Sequence, residues 1–163
     1  MARLTRNSNP NEIARSDRTF FATTRTAVGH RLFQSERNAV LIIDVLRSHV
    51  AAREFQIQDF VIMPDHVHLL ITVNENMTIE KAMQLIKGGF SYRLNREFGF
   101  PGEIWQKGFS EVRVNKDEDL LQYRKYIALN PVKAGLVHAP EDYPYCFTHL
   151  ASHKQTGAKA PIL

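Results

Sequence analysis

Apolar and polar residues alternate along residues 66–73, which predicts a β-strand with one buried face. Four aliphatic residues share one parity: Val67, Leu69, Ile71 and Val73. His66 and His68 share the other parity. Because side chains two apart on a strand point the same way, both imidazoles leave the sheet together, away from the aliphatic face. Two imidazoles held side by side form half of a metal site. The alternative for this motif alone is a pair of partly exposed histidines with no ligand.

Similar patterns predict the remaining elements. Strands are expected at residues 19–26, 55–63 and 110–114, and helices at 35–52, from Thr78 through Leu94, and at 116–130. The short Pro64-Asp65 connection predicts that the second and third strands form an antiparallel hairpin. This order indicates a ferredoxin-like α+β fold, with an antiparallel sheet and an added C-terminal helix that carries tyrosine.

Three local signals refine the helices. The Gly88-Gly89 pair is expected to weaken or bend the second helix. Asn115 with Glu118 resembles a capping box at the start of the third helix. Pro131 is expected to end that helix at Asn130, because proline disfavours helical geometry in the residue before it.

The last helix is expected to face the imidazoles, since the two internal helices would cover the aliphatic face of the sheet. Tyr123, Tyr126 and Asn130 are spaced i, i+3, i+7 and therefore share a stripe of this helix. With the two histidines, the Asn130 amide would complete three neutral ligands and leave positions for phosphate oxygens. A tyrosine hydroxyl one turn away could then attack phosphorus, helped by the ion because free tyrosine is a weak nucleophile at neutral pH. The alternative is a helix whose tyrosines only pack and whose asparagine only ends it.

Composition and charge narrow the class of protein. The 163 residues, 44% hydrophobic and 23% charged, fit one globular domain, expected at 18–150 between a flexible arm at 1–17 and a loose tail at 151–163. No apolar run is long enough to span a bilayer, so no membrane partner is expected. The single cysteine, Cys146, excludes an internal disulfide and a cysteine-rich zinc site, and it points to the cytoplasm. A net charge of +4 is compatible with a polyanionic partner.

Three blocks carry a resemblance to a known family. They are residues 63–70 (MPDHVHLL), 104–109 (IWQKGF) and 126–137 (YIALNPVKAGLV). In this order and spacing they resemble the single-tyrosine HUH transposases, and within them the REP-associated tyrosine transposases, over about residues 19–147. The resemblance implies an HUH-type ferredoxin-like fold and a metal-dependent endonuclease and strand transferase. The substrate would be single-stranded DNA near hairpin elements.

The resemblance also implies roles for individual residues. His66 and His68 would bind Mg²⁺ or Mn²⁺, and Tyr126 would become linked to a 5′ phosphate while a 3′ hydroxyl leaves. Asn130 would be the third ligand, although relatives often carry glutamine there. Many relatives have a histidine where this chain has Val112, so no role is carried to that position. No nucleotide cofactor is required, and a monomer and a homodimer both remain open.

Basic and aromatic residues are the expected contacts with single-stranded or hairpin DNA. The basic candidates are Lys87, Arg93, Arg96, Arg113, Lys125 and Lys133, and the candidates for base stacking are Tyr92, Trp105 and Phe109. Two other functions stay open at this point. One is a hairpin DNA- or RNA-binding module that descends from a transposase and has lost strand transfer. The other is a metal-dependent phosphodiesterase, although such enzymes usually repeat the histidine motif and this chain has one copy.

Overall fold

The structure is a computed structural model that describes residues 17–147 and residue 150. Its main elements are four strands and three helices: β1 (Arg18–Arg25), α1 (Glu36–Ala51), β2 (Gln56–Met63), β3 (His66–Val73), α2 (Ile79–Phe98), β4 (Ser110–Val114) and α3 (Asp117–Lys133). Short 3₁₀ turns lie at Leu32–Gln34 and Pro140–Asp142. Apart from Asp17, the predicted arm at 1–17 lies outside the described residues, as does the tail at 151–163. The domain bounds therefore stay a prediction.

The four strands form one antiparallel sheet in the order β2-β3-β1-β4. Together with the βαββαβ order along the chain, this is the ferredoxin-like arrangement, and the predicted fold class is confirmed. The predicted hairpin is present, since β2 and β3 pair from Met63 and His66 onward across the Pro64-Asp65 turn. In the middle of the sheet, β1 pairs with both β3 and β4.

The two faces of the sheet are covered by different elements. Helices α1 and α2 pack on the face that holds the aliphatic residues of β3, and this core includes Phe20, Leu46, Phe60, Leu69, Met83 and Phe90. Helix α3 packs against β2 and β3 on the other face, where Val61, Leu70 and Ile127 form a smaller cluster. The imidazoles of β3 lie on the face that α3 covers, as the period-2 pattern predicted.

Helix α2 is continuous through Gly88-Gly89, and the expected weakening or bend at this pair stays a prediction. A Cβ atom at Gly89 would lie 3.1 Å from Val45 Cγ1 and 3.3 Å from His49 Nε2 of α1. Glycine at this position lets the two helices approach closely, and packing outweighs its low helix propensity. The predicted start of α2 at Thr78 is confirmed, since Thr78 is the N-cap and its Oγ1 accepts from the Lys81 amide at 3.1 Å.

Both predicted ends of α3 were wrong. Lys116 rather than Asn115 occupies the N-cap position, and it makes no side-chain capping bond. The helix continues through Pro131 to Lys133. Pro131 cannot donate a backbone bond, but its ring is buried, and its own carbonyl accepts from Leu136 N–H at 2.9 Å. Burial in the last turn thus offsets one lost hydrogen bond.

The segment after α3 packs along the edge strand β2. The buried Tyr143 hydroxyl donates to the Ile62 carbonyl at 2.7 Å, and Ile62 N–H donates to the Tyr145 carbonyl at 2.9 Å. These bonds cover an edge that would otherwise present unpaired backbone groups. They also fix the end of α3 against the sheet.

Candidate active site

The two histidines of β3 lie side by side on the face of the sheet that α3 covers. Their ring centroids are 4.7 Å apart. His68 is 4% exposed, and the His66 side chain is 15% exposed. Strand geometry alone sets this spacing, because both side chains project from one face of a paired central strand.

Each imidazole is held through its Nδ1 atom. His68 Nδ1 lies 2.7 Å from Thr23 Oγ1 on β1, and His66 Nδ1 lies 2.7 Å from Asp65 Oδ1. An ionised carboxylate only accepts hydrogen bonds, so His66 must carry its proton on Nδ1 and keep a lone pair on Nε2 when neutral. Partners of this kind orient histidine ligands in metal sites.

The electrostatic environment keeps His68 uncharged. Burial lowers the pKa of His68 to about 3, with further contributions from the charges of His66 and Arg25. The hydrogen bond to His66 lowers the pKa of Asp65 below its ordinary value. His68 is therefore a neutral imidazole at physiological pH, which is the protonation state that binds metal.

Tyr126 is the tyrosine that reaches the histidines. Its ring centroid lies 5.3 Å from that of His68 and 5.7 Å from that of Phe21 on β1, and the residue is 44% exposed. Tyr123 instead stacks on Phe21 at 4.5 Å and is half-buried. Both tyrosines, together with Phe21, border an open depression of about 460 Å³ that reaches to Val112. Tyr126 thus presents an accessible phenol next to His68 within one subunit.

Asn130 follows Tyr126 by one helical turn on the same side of α3 and is half-buried. Within residues 17–147 and 150, no group of three His, Cys, Asp or Glu side chains is placed to hold a metal ion. The clustered donors are therefore the two imidazoles, and Asn130 is a third candidate only from its position on α3 one turn after Tyr126. Both histidines are oriented through Nδ1, so the set fits a divalent ion that keeps open positions for water or phosphate.

The predicted DNA-contacting cations fall into separate groups. Lys125 and Lys133 lie on α3, and the Lys133 ammonium is 6.0 Å from the Tyr126 ring centroid. Arg93 and Arg96 lie on α2, across the sheet from the histidines, where Arg93 pairs with Glu97 at 2.7 Å.

Lys87 and Arg113 also contact neighbouring residues of the protein. The Lys87 ammonium donates to the carbonyls of Gln106 at 3.1 Å and Gly108 at 2.7 Å, and burial lowers its pKa. The Arg113 guanidinium lies 5.8 Å from the ring centroid of Phe20. Their contacts with DNA, like those of the other cations, remain predictions.

Sequence reasoning missed Thr23 and Arg25. In the β1–β3 register Thr23 faces His68 and Arg25 faces His66, so both belong to the histidine face. The sequence pattern that could have indicated them is the alternation along β1. Phe21, Thr23 and Arg25 alternate with the buried Ala22 and therefore point to the opposite face of the sheet. The signal becomes readable only once β1 is known to pair with β3.

Comparisons with known proteins identify the family of this chain. The family described as "Transposase IS200 like" matches residues 22–130, a span that contains both histidines, Tyr126 and Asn130. The chain belongs to the IS200-like transposase family. The matched span begins within β1 and ends within α3, so it contains β2, β3 and β4 completely and α3 as far as Asn130.

Similar proteins include two curated relatives. A REP-associated tyrosine transposase of Escherichia coli K12 is 30% identical over 98 residues, which are 60% of this chain and 56% of that protein. A Haemophilus influenzae protein whose name assigns it to the same group is 35% identical over 98 residues, covering 54% of this chain and 56% of that protein. The chain therefore matches just over half the length of these relatives.

Solved structures resemble the fold more completely. A REP-associated tyrosine transposase bound to a REP hairpin superimposes with a TM-score of 0.66 and 26% identity, covering 85% of this chain and 81% of that one. A second structure, of a Deinococcus radiodurans protein, has a TM-score of 0.52 at 21% identity, covers 67% of this chain and 87% of that one, and shows the fold alone. Among the described residues, no helix is both long and apolar enough to cross a bilayer.

Proposed function

We propose that this protein cuts and rejoins single-stranded DNA beside hairpin elements through a covalent 5′-phosphotyrosine at Tyr126. The observation that carries the proposal is the contact between the Tyr126 ring and His68, 5.3 Å between centroids, within one subunit. A phenol that is 44% exposed next to an oriented pair of imidazoles is an arrangement suited to nucleophilic attack on a bound phosphodiester.

The proposed chemistry is a transesterification. The Tyr126 oxygen forms a bond to phosphorus, and the phosphorus–O3′ bond breaks with its electron pair on the 3′ oxygen. The phenolic proton passes to water, and the leaving oxygen takes a proton from water. Because one phosphodiester replaces another, the bond energy is kept for a later attack by a 3′ hydroxyl, which restores the phenol and joins the strands.

His66, His68 and Asn130 are the residues proposed to hold Mg²⁺ or Mn²⁺. Such an ion would neutralise charge on the phosphodiester and its transition state. The chain's own contributions are orientation and charge. Thr23 and Asp65 fix the two rings, and the Lys133 ammonium, 6.0 Å from the Tyr126 ring centroid, adds positive charge where an anionic phosphate would lie.

A hairpin is the proposed DNA partner because the structural relative with the TM-score of 0.66 is bound to a REP hairpin. Hairpin stems would lie against cations outside the reaction centre, with Arg93 and Arg96 of α2 and Lys125 of α3 as candidates. Salt would weaken such contacts, since phosphate binding by cations releases counterions.

The proposal is tested by trapping the covalent adduct. REP hairpin oligonucleotides with randomised single-stranded flanks are labelled at the 3′ end, because the tyrosine would retain the fragment with the 5′ phosphate. After incubation with Mg²⁺ or Mn²⁺, a denaturing gel should show a labelled band at the mass of the protein–DNA adduct. The band should disappear in EDTA and in Tyr126→Phe, and it should persist in the matched control Tyr123→Phe.

Other outcomes identify the alternatives. Binding without an adduct would support the hairpin-binding module, and free cleaved product without an adduct would support the phosphodiesterase. Loss of the adduct in Tyr123→Phe alone would move the nucleophile by one turn of α3.

A further inference from the structure

A second open space begins at Thr23, whose hydroxyl lies 2.7 Å from His68 Nδ1, and Tyr126 does not line it. It is a cleft of about 240 Å³ between the end of β1 and the loop that leads into β4, lined by Thr23, Arg25, Gln106, Lys107, Gly108, Phe109 and Ser110. The cleft is open to solvent and large enough to hold part of one nucleotide unit. Thr23, which positions His68, is part of this lining. The other residues of the proposed reaction centre are not.

The wall formed by the loop is fixed to two elements. Gln106 N–H donates to the Arg25 carbonyl at 2.9 Å, which extends the hydrogen bonding of β1. From α2, the Lys87 ammonium binds the carbonyls of Gln106 and Gly108, while Trp105 Nε1 donates to the Lys87 carbonyl at 3.0 Å. The cleft is therefore preorganised, which lowers the cost of ordering the loop when a ligand binds.

The charge of the cleft suits a phosphate. Arg25 and Lys107 are both exposed and contribute two cations, and neither forms an ion pair with any residue in the described part of the chain. Phe109, half-buried, adds an aromatic surface beside them. Cations next to an aromatic ring are the features by which proteins bind single-stranded nucleic acid, through phosphate contacts and base stacking.

The cleft and Tyr126 both lie beside the histidine pair, at different points along β1. Thr23 faces His68 on one neighbouring strand and Ser110 on the other, so the cleft begins directly beside the histidine pair. Tyr126 approaches the same pair from the side of Phe21, two residues earlier on β1. In a phosphoryl transfer, the attacking and leaving oxygens lie roughly in line on opposite sides of phosphorus. The leaving 3′ oxygen would therefore point toward the cleft.

We propose that the cleft binds the nucleotide immediately 5′ of the scissile phosphate, which keeps the 3′ hydroxyl after cleavage. This inference rests on the proposed function. Arg25 and Lys107 face the phosphate of this nucleotide, and its base stacks on Phe109. By holding the cut end near Tyr126, the cleft would keep the 3′ hydroxyl available for rejoining.

The test measures DNA binding by fluorescence anisotropy in EDTA, so that it does not depend on a loaded metal site. Sequencing the trapped adducts first locates the scissile phosphate. Two hairpin oligonucleotides of fixed sequence are then compared, one intact and one with an abasic site immediately 5′ of that phosphate. Wild-type protein should bind the abasic oligonucleotide at least about fivefold more weakly, in the range of one lost stacking contact. Phe109→Ala should bind the two oligonucleotides equally.

The cations are tested by the salt dependence of binding. Arg25→Gln and Lys107→Ala should each reduce the slope of log K against log salt by about 0.7, the contribution of one phosphate contact to single-stranded DNA. Lys116→Ala, which removes a charge at the opposite end of β4, is the matched control and should leave the slope unchanged. If adducts form but the slopes and the abasic penalty are unaffected, the cleft assignment is wrong. If wild-type protein forms no adduct, the proposed function itself fails.

Discussion

A buried carboxylate under α3 gives a prediction about pH and stability. Asp59 lies on β2 at a bulge where the register with β3 shifts, and its side chain is 8% exposed. Asp59 Oδ1 accepts a hydrogen bond from Phe60 N–H at 2.8 Å, and Oδ2 lies 4.0 Å from the Arg124 guanidinium of α3. These contacts do not compensate for burial, which raises the pKa of Asp59 from 3.8 to about 6.

The sign of the effect follows from linkage. Because the folded protein holds this proton more tightly than the unfolded chain, the ionised carboxylate destabilises the fold, and stability falls as pH rises from about 4 to about 6. A rise from 3.8 to about 6 corresponds to about 3 kcal/mol at about 1.4 kcal/mol per pH unit. About 2 kcal/mol of this falls between about pH 4.5 and about pH 7.5.

Asp59→Asn removes the titration and keeps the shape of the side chain. We compare the stability gain of the variant, its free energy of unfolding minus that of wild type, at two pH values. This gain should be about 2 kcal/mol larger at about pH 7.5 than at about pH 4.5. Urea unfolding at a series of pH values, followed by the fluorescence of the single tryptophan, Trp105, measures this difference. Comparison with the variant cancels the opposite contribution of His68, which disfavours the fold at low pH.

A second variant tests the role of the neighbouring cation. Arg124→Gln removes an attraction that lowers the pKa of Asp59 in the folded protein, so the loss of stability should still begin near about pH 4 but should continue to higher pH than in wild type. Parallel pH profiles for wild type and Asp59→Asn would refute the conclusion that Asp59 is buried with a raised pKa.

Two further predictions concern the histidine pair and α2. Thr23→Val should weaken Mn²⁺ binding about 10- to 100-fold in calorimetry, since it removes the hydrogen-bond partner of His68, one of the proposed ligands. Thr19→Val, on the same face of β1, should not, and equal affinities for both variants would contradict the positioning role. Gly88→Ala should raise the free energy of unfolding by about 0.5–1 kcal/mol, because the site is open and alanine favours a helix. Gly89→Ala should gain less, since its Cβ would lie 3.1 Å from Val45, and an equal gain in chemical denaturation would contradict this packing.

Much of the fold follows from periodicity. Period-2 alternation located β3 and put its imidazoles on one face, and the apolar stripe of α2 from Ile79 to Leu94 is buried as expected. These predictions succeeded because the burial of one face acts on every second or every third to fourth residue, so the pattern repeats many times along the chain.

Single-residue signals were less informative. Pro131 did not end α3, because a buried ring near the end of a helix offsets one lost hydrogen bond. The burial of Asp59 was likewise not predictable, since it depends on the bulge in β2 and on the placement of Arg124 above it. Each of these outcomes depends on tertiary packing that local sequence does not encode.

Some residues of the site could likewise be predicted from the sequence, and others needed the structure. Four candidates were predicted from their spacing in the sequence: His66, His68, Tyr126 and Asn130. In the structure, the ring of Tyr126 contacts that of His68. Thr23 and Arg25 could be found only after β1 was paired with β3, because their relevance comes from cross-strand neighbours. The interaction of Lys87 with loop carbonyls needed the tertiary contact itself.

The most direct test of the central claim is to locate the DNA-linked residue by mass spectrometry. Trypsin separates the two tyrosines of α3, because Arg124 and Lys125 lie between them: Tyr123 falls in residues 117–124 and Tyr126 in residues 126–133. After adduct formation with a hairpin oligonucleotide and nuclease digestion, peptide 126–133 should carry a nucleotide through a phosphotyrosine bond, and peptide 117–124 should remain unmodified. A nucleotide on peptide 117–124, or on neither peptide while cleavage proceeds, would contradict the assignment of Tyr126 as the nucleophile.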